Sequence, residues 1–339
     1  MSDQGKPIIA VAHTLDARRS YLIEPELGAL EGKYPVKLNP QEKGTLSPEE
    51  LAEFAGEASA LIIGWGACTI EADFYEKAPN LKAVNVIGSA IRQFHPEAGW
   101  KQGVVYTNTA ASIGFCVAEF ALALILQGLH QLKHYRDGLM AKEPWGEIQA
   151  TMHHELSNKT VGIVGLGSIG RRVAELLQPF HVELLVYDPY VSDEVLKKYS
   201  AKRVELVELC SRSQVVTVHA GLTDETRGLI GAEALGAIQD GAMLVNTSRS
   251  PVIDSAALVA ELKKNRFRAA LDVFDKEPLA DDDPLRDLEN AYLTPHVAGS
   301  FSPDVLTRNA RTVMSDAMAV LEGRKPENLI TPEIFARMT

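Results

Sequence analysis

Arg249, Glu277 and His296 each stand just beyond a short apolar run. Residues 242–246 lead into Thr247-Ser248-Arg249, residues 269–272 are followed closely by Glu277, and residues 291–294 lead to Pro295-His296. A fourth run, 215–219, ends on His219. The planar fork of an arginine holds a carboxylate by two bonds and polarises a neighbouring carbonyl. A histidine titrates near working pH and can pass a proton to a carbonyl oxygen. A carboxylate on its far ring nitrogen fixes its orientation and favours the protonated form. With a hydride carrier added, these are the groups needed to interconvert a small 2-keto acid and a 2-hydroxy acid. Taken singly, Arg249 reads as well as a surface residue at a helix start, Glu277 as a loop acid and His296 as a loop histidine. Their succession at the ends of neighbouring runs favours the chemical reading, because open parallel sheets bind ligands beyond the carboxyl ends of their strands.

The hydride carrier has its own signature. Residues 160–164 form a β-branched run, the turn Gly165-Leu-Gly-Ser-Ile-Gly170 follows at once, and residues 171–177 continue with helical spacing. Gly165 permits the tight turn, Gly167 lets backbone amides near a pyrophosphate, and Gly170 lets helix and strand pack closely. Ser168 and Ile169 lie in the same turn, at the helix start that faces the phosphates. Asp188, 18 residues beyond Gly170, ends the next apolar run. An acid there accepts ribose hydroxyls and repels a 2′-phosphate, which selects NAD over NADP. The bland alternative is a glycine turn of some other α/β fold, with Asp188 as a strand-end turn residue. Arg171 and Arg172 read as exposed helix residues, with a place near the adenine side left open.

These residues need elements to position them. Runs at 8–12, 60–64, 81–86 and 103–107 predict buried strands, with a helix over 47–58 that opens on a Ser-Pro-Glu-Glu cap. Residues 118–140 predict one long helix, followed by a loop carrying Pro144, Trp145, His153 and His154. A second series gives six strands, at 160–164, 183–187, 215–219, 242–246, 269–272 and 291–294, and a helix over 303–321. Such βα alternation predicts an α/β protein built from two Rossmann-like or flavodoxin-like doubly wound parallel-sheet domains with an interdomain cleft. Residues 1–113 with 303–339 form the discontinuous substrate domain, and 114–302 the nucleotide domain.

The 339 residues, 46% hydrophobic and 23% charged, suit two cores of ordinary size. A net charge of -11 argues against nucleic acid or an anionic membrane as partner. Cys68, Cys116 and Cys210 form no CxxC pair and read as reduced thiols of a cytoplasmic protein. The start is not a basic signal region, and the apolar run 117–126 carries Glu119 and reads as a buried helix, too short to span a bilayer. His153-His154-Glu155 and Asp281-Asp282-Asp283 lack helical ligand spacing, so no metal is expected.

Five stretches together resemble the D-isomer-specific 2-hydroxyacid dehydrogenase family: residues 160–170, His219-Ala-Gly-Leu-Thr-Asp-Glu-Thr-Arg-Gly-Leu229, Asn246-Thr-Ser-Arg-Ser-Pro-Val-Ile-Asp254, Leu271-Asp-Val-Phe-Asp-Lys-Glu-Pro278 and Thr294-Pro-His-Val-Ala-Gly299. The resemblance covers nearly the whole chain and is weaker in the first hundred residues. It implies a homodimer with its site in the cleft. Arg249 then binds the substrate carboxylate and carbonyl, His296 is the acid/base and Glu277 its partner. Asp272 binds the nicotinamide carboxamide, while His219, Thr226, Thr247, Ser248 and Gly299 line the cofactor.

In place of the family's GVGxD-like loop, whose amides hold the carboxylate, stands Val86-Ile-Gly-Ser-Ala-Ile-Arg-Gln93. Ile87, Gly88 and Ser89 are expected to supply those amides. Arg92 is an addition, either contacting a second polar substrate group or forming a surface salt bridge. Trp65, between Gly64 and Gly66, bounds the pocket or fills core. Ser250-Pro251 replaces the glycine usual after the arginine, and Gly221 replaces a proline after His219. Two other readings stand beside the dehydrogenase: an NAD(H)-sensing regulatory protein of the same fold, and phosphite oxidation. Glu277 stands where formate enzymes resembling the family carry glutamine, which disfavours formate. One helix and a short tail after the nucleotide domain leave no expected C-terminal effector module.

Overall fold

Short β-branched runs that bury both their faces build two separate sheets, as parallel sheets covered by helices require. A computed structural model describes residues 5–299 and 302–336. These fall into two compact units, 5–113 with 302–336 and 114–299.

The first unit holds β1 (Ile9–Val11), β2 (Val36–Leu38), β3 (Ala60–Gly64), β4 (Ala83–Ile87) and β5 (Val105–Asn108), joined at one edge by the late strand β13 (Leu329–Ile330). The order is β13-β5-β4-β3-β1-β2, and only β13 runs antiparallel. Because side chains alternate along a strand, each face has its own core. Ala10, Leu61, Ile63, Val84 and Val86 pack with Leu51, Phe54 and Phe74 on one side. Ile9, Val11, Ile62 and Ile87 pack with Leu30, Val313, Met314 and Ala317 on the other. The helix Pro48–Ala55 starts on a full capping box made by Ser47 and Glu50.

The second unit holds seven parallel strands: β6 (Thr160–Val164), β7 (Glu183–Tyr187), β8 (Lys202–Arg203), β9 (Val215–Val218), β10 (Met243–Asn246), β11 (Arg268–Leu271) and β12 (Ala291–Leu293). Their order, β12-β11-β10-β9-β6-β7-β8, reverses direction at β6, the switch point of a dinucleotide sheet. Val161, Ile163, Val215 and Val245 pack beneath Ala118, Ile125 and Val173, while Val216, Val218 and Leu244 pack against Leu235, Leu258 and Leu262.

Some elements differ from the expectation. β2, β8 and β13 are additional; each has only two or three residues, and of these seven only Ile330 is buried, so no apolar run marks them. The single helix expected over 118–140 is two, Ala110–Leu129 and Leu132–Met140, because Gln131 adopts a left-handed conformation at φ 51°. The Gln131 side chain, donating to the Met152 carbonyl, ties the break to the following loop, where Trp145–Ala150 adds a short helix. With 20 residues, Ala110–Leu129 is long and apolar enough to cross a membrane by length and composition, which corrects the shorter estimate. Ala118, Ala121, Leu124, Ile125 and Leu129 nevertheless bury one side of it in the core of the second unit, while Glu119 and Ala123 are exposed.

Candidate active site

The glycine turn has the geometry its spacing demands. Gly165 sits at φ +89°, and a Cβ there would lie 2.7 Å from the Ala220 amide nitrogen. Gly167 precedes the helix Ser168–Leu177 with nothing within 4 Å of an added Cβ, so its backbone faces open space. Ser168 is exposed, and Ile169 is half-buried against the core. At Gly170 an added Cβ would meet the Gly165 carbonyl oxygen at 2.2 Å. Because that oxygen is backbone, relief requires moving the helix start itself. Gly170→Ala is expected to cost about 3 kcal/mol, lowering Tm by about 6–12 °C. Titration of the variant with NADH should show weakened binding; unchanged affinity and Tm would mean the turn has slack that the contact denies.

Asp188 follows β7 and is already engaged as an acceptor. Its carboxylate takes the Leu166 amide at 2.8 Å, Tyr190 at 2.9 Å and Val191 at 3.1 Å. The turn role and the ribose role are therefore compatible: the group pins the glycine turn and, half-buried, keeps accepting capacity at its free edge. Tyr190, unmarked in the sequence reading, donates from its exposed hydroxyl to Glu225 and links the loops after β7 and β9. Arg171 donates to the Leu166 carbonyl, while Arg172 pairs with Glu175 and lies over the Phe115 ring.

At the carboxyl ends of β9 and β10 lie two unpaired polar atoms. His219 is buried, its Nε2 is 2.9 Å from the Thr217 hydroxyl, and its Nδ1 has no partner among the described residues. Burial lowers its pKa to about 4, so the ring is neutral at physiological pH. The Thr247 hydroxyl is likewise buried and unpaired. Orphaned buried polar groups beside an uncovered glycine turn fit a bound dinucleotide, which can supply the missing partners. Asn246 shapes the next turn by accepting from the Ser248 amide and hydroxyl, at 3.0 and 2.8 Å, and donating to the Arg249 carbonyl.

Arg249 is largely buried; Nη1 donates to the Ser248 carbonyl at 2.8 Å. Burial disfavours its charge, and the Glu277 carboxylate counters that effect. Glu277 accepts the Phe274 amide on Oε1 at 3.1 Å and meets His296 Nδ1 through Oε2 at 2.7 Å. The Glu277 and His296 side chains are 38% and 47% exposed, so the pair opens to solvent. His296 itself stands at φ +52°.

What holds that backbone is Asp272. It is fully buried, accepting the Thr294 hydroxyl at 2.6 Å and the Val297 and Ala298 amides at 3.0 Å each. Its carboxylate fixes the segment on both sides of His296 and offers no exposed edge to a ligand. Thr226 is similarly occupied: its hydroxyl donates to the Gly221 carbonyl at 2.6 Å and accepts from Thr223, tightening the loop where a proline is usual. Gly299 is half-buried directly after this segment.

In the first unit, Ile87 is the buried last residue of β4, and its carbonyl accepts from Trp65. Gly88, at φ +133°, has its amide taken by the Thr109 hydroxyl at 2.9 Å. One of the three amides expected to hold a carboxylate, that of Gly88, is thus drawn into the sheet end. The Ser89 and Ala90 amides make no hydrogen bond among the described residues, and Asn108 anchors the Ser89 carbonyl at 2.7 Å. Thr109 and Asn108 shape this loop and were not singled out, though their place directly at the end of a buried run was visible. Arg92 is stacked on the Phe335 ring at 4.6 Å, at the end of the helix Pro332–Phe335. The Trp65 indole lies against Gly88, where a Cβ would meet Nε1 at 3.0 Å, and edge-on to Tyr21.

Comparison with known proteins agrees with this frame. The NAD-binding domain of the D-isomer specific 2-hydroxyacid dehydrogenases matches residues 122–298. A glyoxylate reductase of Thermofilum pendens is 33% identical over 328 residues, covering 92% of this chain and 93% of that enzyme. A D-3-phosphoglycerate dehydrogenase of Methanocaldococcus jannaschii is 33% identical over 288 residues, 84% of this chain but 54% of that enzyme, so the chain spans about half the length of this relative. The apo form of Rhodotorula graminis D-mandelate dehydrogenase shares the fold at TM-score 0.79 and 23% identity, with 96% of this chain and 98% of that one covered. The chain therefore belongs to the D-isomer specific 2-hydroxyacid dehydrogenases, a family of NAD-dependent oxidoreductases.

Proposed function

We propose that the protein interconverts a small D-2-hydroxy acid and its 2-keto acid with NAD(H). The observation that carries this reading is the 2.7 Å pairing of Glu277 with His296, with Arg249 within electrostatic reach of Glu277, at the carboxyl edge of the sheet that bears the glycine turn. NADH, when bound, supplies the hydride to C2 of the keto acid. Gly165, Gly167 and Ser168 face its pyrophosphate, Asp188 its ribose, and His219 and Thr247 give it their unpaired polar atoms. Arg249 holds the substrate carboxylate and polarises the carbonyl. His296, held through Nδ1, presents Nε2 to the carbonyl oxygen and delivers the proton as the alcohol forms. In the reverse direction it accepts that proton.

Six of the large apolar side chains that are exposed, Phe115, Leu132, Leu139, Met140, Trp145 and Met152, fall within one stretch of 38 residues, 115–152. Such a concentration supports a homodimer built on this stretch. A panel of 2-keto acids, glyoxylate, pyruvate and hydroxypyruvate among them, run with NADH and NADPH, tests the proposal. NADH oxidation with at least one acid is expected, and a preference for NADH over NADPH of about 10-fold or more from Asp188. Tight NADH binding without turnover on any acid would favour the sensing protein instead.

A further inference from the structure

Tyr190 and Glu225 join the two loops that flank the glycine turn. β6 lies between β7 and β9 in the sheet, and the loops after β7 and β9 leave from the same carboxyl edge. Each loop touches the turn where it starts. Asp188 accepts the Leu166 amide at 2.8 Å, and the Ala220 amide nitrogen lies 2.7 Å from where a Gly165 Cβ would stand. Further out the loops meet each other, where the Tyr190 hydroxyl donates to Glu225 Oε2. The turn, the two loops and this bond make a closed circuit at the edge where a dinucleotide binds.

The Tyr190 ring is fixed at both ends. Its own amide donates to Asp188 Oδ1 at 2.9 Å, and its hydroxyl is held by Glu225. Arg203 braces the same loop, donating to the Asp188 and Val191 carbonyls at 2.9 and 2.6 Å. Between its anchors Tyr190 is 70% exposed, so a large aromatic side chain is spread in water instead of packing in a core. Glu225 is exposed as well, and its Oε1 accepts no hydrogen bond among the described residues. Exposed side chains ordinarily change rotamer within nanoseconds. This one is held in a set direction, next to the carboxylate proposed for the ribose.

We infer that Tyr190 and Glu225 read the purine of the cofactor: the ring stacks on adenine, and Glu225 Oε1 accepts from its 6-amino group. The inference rests on Asp188 meeting the adenosine ribose, because the base hangs from that ribose on the side away from the pyrophosphate. Stacking alone does not choose among bases, since every base has a π-face. The carboxylate supplies the choice. It accepts and cannot donate, so it suits an exocyclic amine and repels a carbonyl oxygen in the same place. Adenine carries the amine at that position and hypoxanthine the carbonyl.

Fluorescence titration of the full-length protein with NADH and with reduced nicotinamide hypoxanthine dinucleotide tests this without any keto acid. The two ligands differ only at C6 of the purine and share ribose hydroxyls, pyrophosphate and nicotinamide. Wild type should bind NADH about tenfold more tightly. In Glu225→Gln the carboxamide offers its oxygen to adenine or, flipped, its NH2 to hypoxanthine, so the ratio should fall toward one. Tyr190→Ala should weaken both dinucleotides by about fivefold or more. Both residues are exposed, so the Tm of each variant should stay within about 2 °C of wild type. Equal affinity of wild type for the two dinucleotides, a ratio that survives in Glu225→Gln, or unaltered affinity in Tyr190→Ala overturns the purine site. NADH against NADPH judges Asp188 separately, because those two carry the same purine and differ at the 2′ position. A preference for NADH over NADPH with equal binding of the hypoxanthine analogue sinks the purine site alone; no preference in either comparison sinks the ribose reading with it.

Discussion

Replacing His296 with alanine should lower kcat by about a thousandfold on any accepted keto acid, while NADH still binds. The expectation follows from what the ring can and cannot share. Its Nδ1 is spent on Glu277 at 2.7 Å, leaving Nε2 as the atom that faces a ligand. Two neighbours at this sheet edge are poor substitutes: His219 is neutral, buried and within 2.9 Å of the Thr217 hydroxyl, and Asp272 is sealed beneath the loop. Glu277→Gln is the finer test. Glu277 accepts from two donors at once, the Phe274 amide and His296. A glutamine has one acceptor oxygen and one NH2, so one of those two N–H groups loses its acceptor. A loss of about 10- to 100-fold in kcat is expected, with KM less affected, because the ring loses its hold and the charge behind it. Near-normal kcat in His296→Ala, measured by NADH absorbance under saturating keto acid, would remove His296 from the proton path.

Much of this site could be read before any coordinates, and the reason is physical. The middles of β6, β7, β9, β10 and β11 are buried on both faces, so their sequences are largely apolar runs whose ends mark the ligand edge closely. Gly165 and Gly170 are likewise legible, since backbone crowding at 2.7 and 2.2 Å leaves no other residue type. Short exposed strands such as β8 leave no such trace. Nor does Gln131, because any polar residue can take a left-handed turn when tertiary contacts require it, here its bond to the Met152 carbonyl. Asp272 illustrates a different limit. An acid at a strand end does not show in sequence that it secures the loop that carries His296; its three acceptor bonds do.

Arg249→Lys should reduce kcat/KM by about 10²- to 10³-fold, even though the positive charge is kept. Arg249 is set in an extended backbone before a short turn, with one guanidinium nitrogen already donating to the Ser248 carbonyl at 2.8 Å. The remaining donors of its planar fork can therefore meet a carboxylate and a carbonyl together without the side chain having to reorder. A lysine ammonium is a point charge on a flexible stem; it satisfies Ser248 or the substrate, and loses the paired geometry. The defect should appear in both KM and kcat, since the same fork binds the ground state and supports the oxygen that gains charge in the transition state. Unfolding does not account for it. Burial works against the Arg249 charge, offset by Glu277, so this arginine is held at a cost to the empty protein, and its removal should leave Tm within a few degrees or raise it. An arginine kept under those conditions and needed only for stability would show the opposite pattern, a lowered Tm with kcat/KM preserved. Thermal melts and keto acid kinetics on the same preparation of Arg249→Lys separate the two outcomes, and guanidinium added to Arg249→Ala should restore part of the lost rate if the missing group is the fork itself.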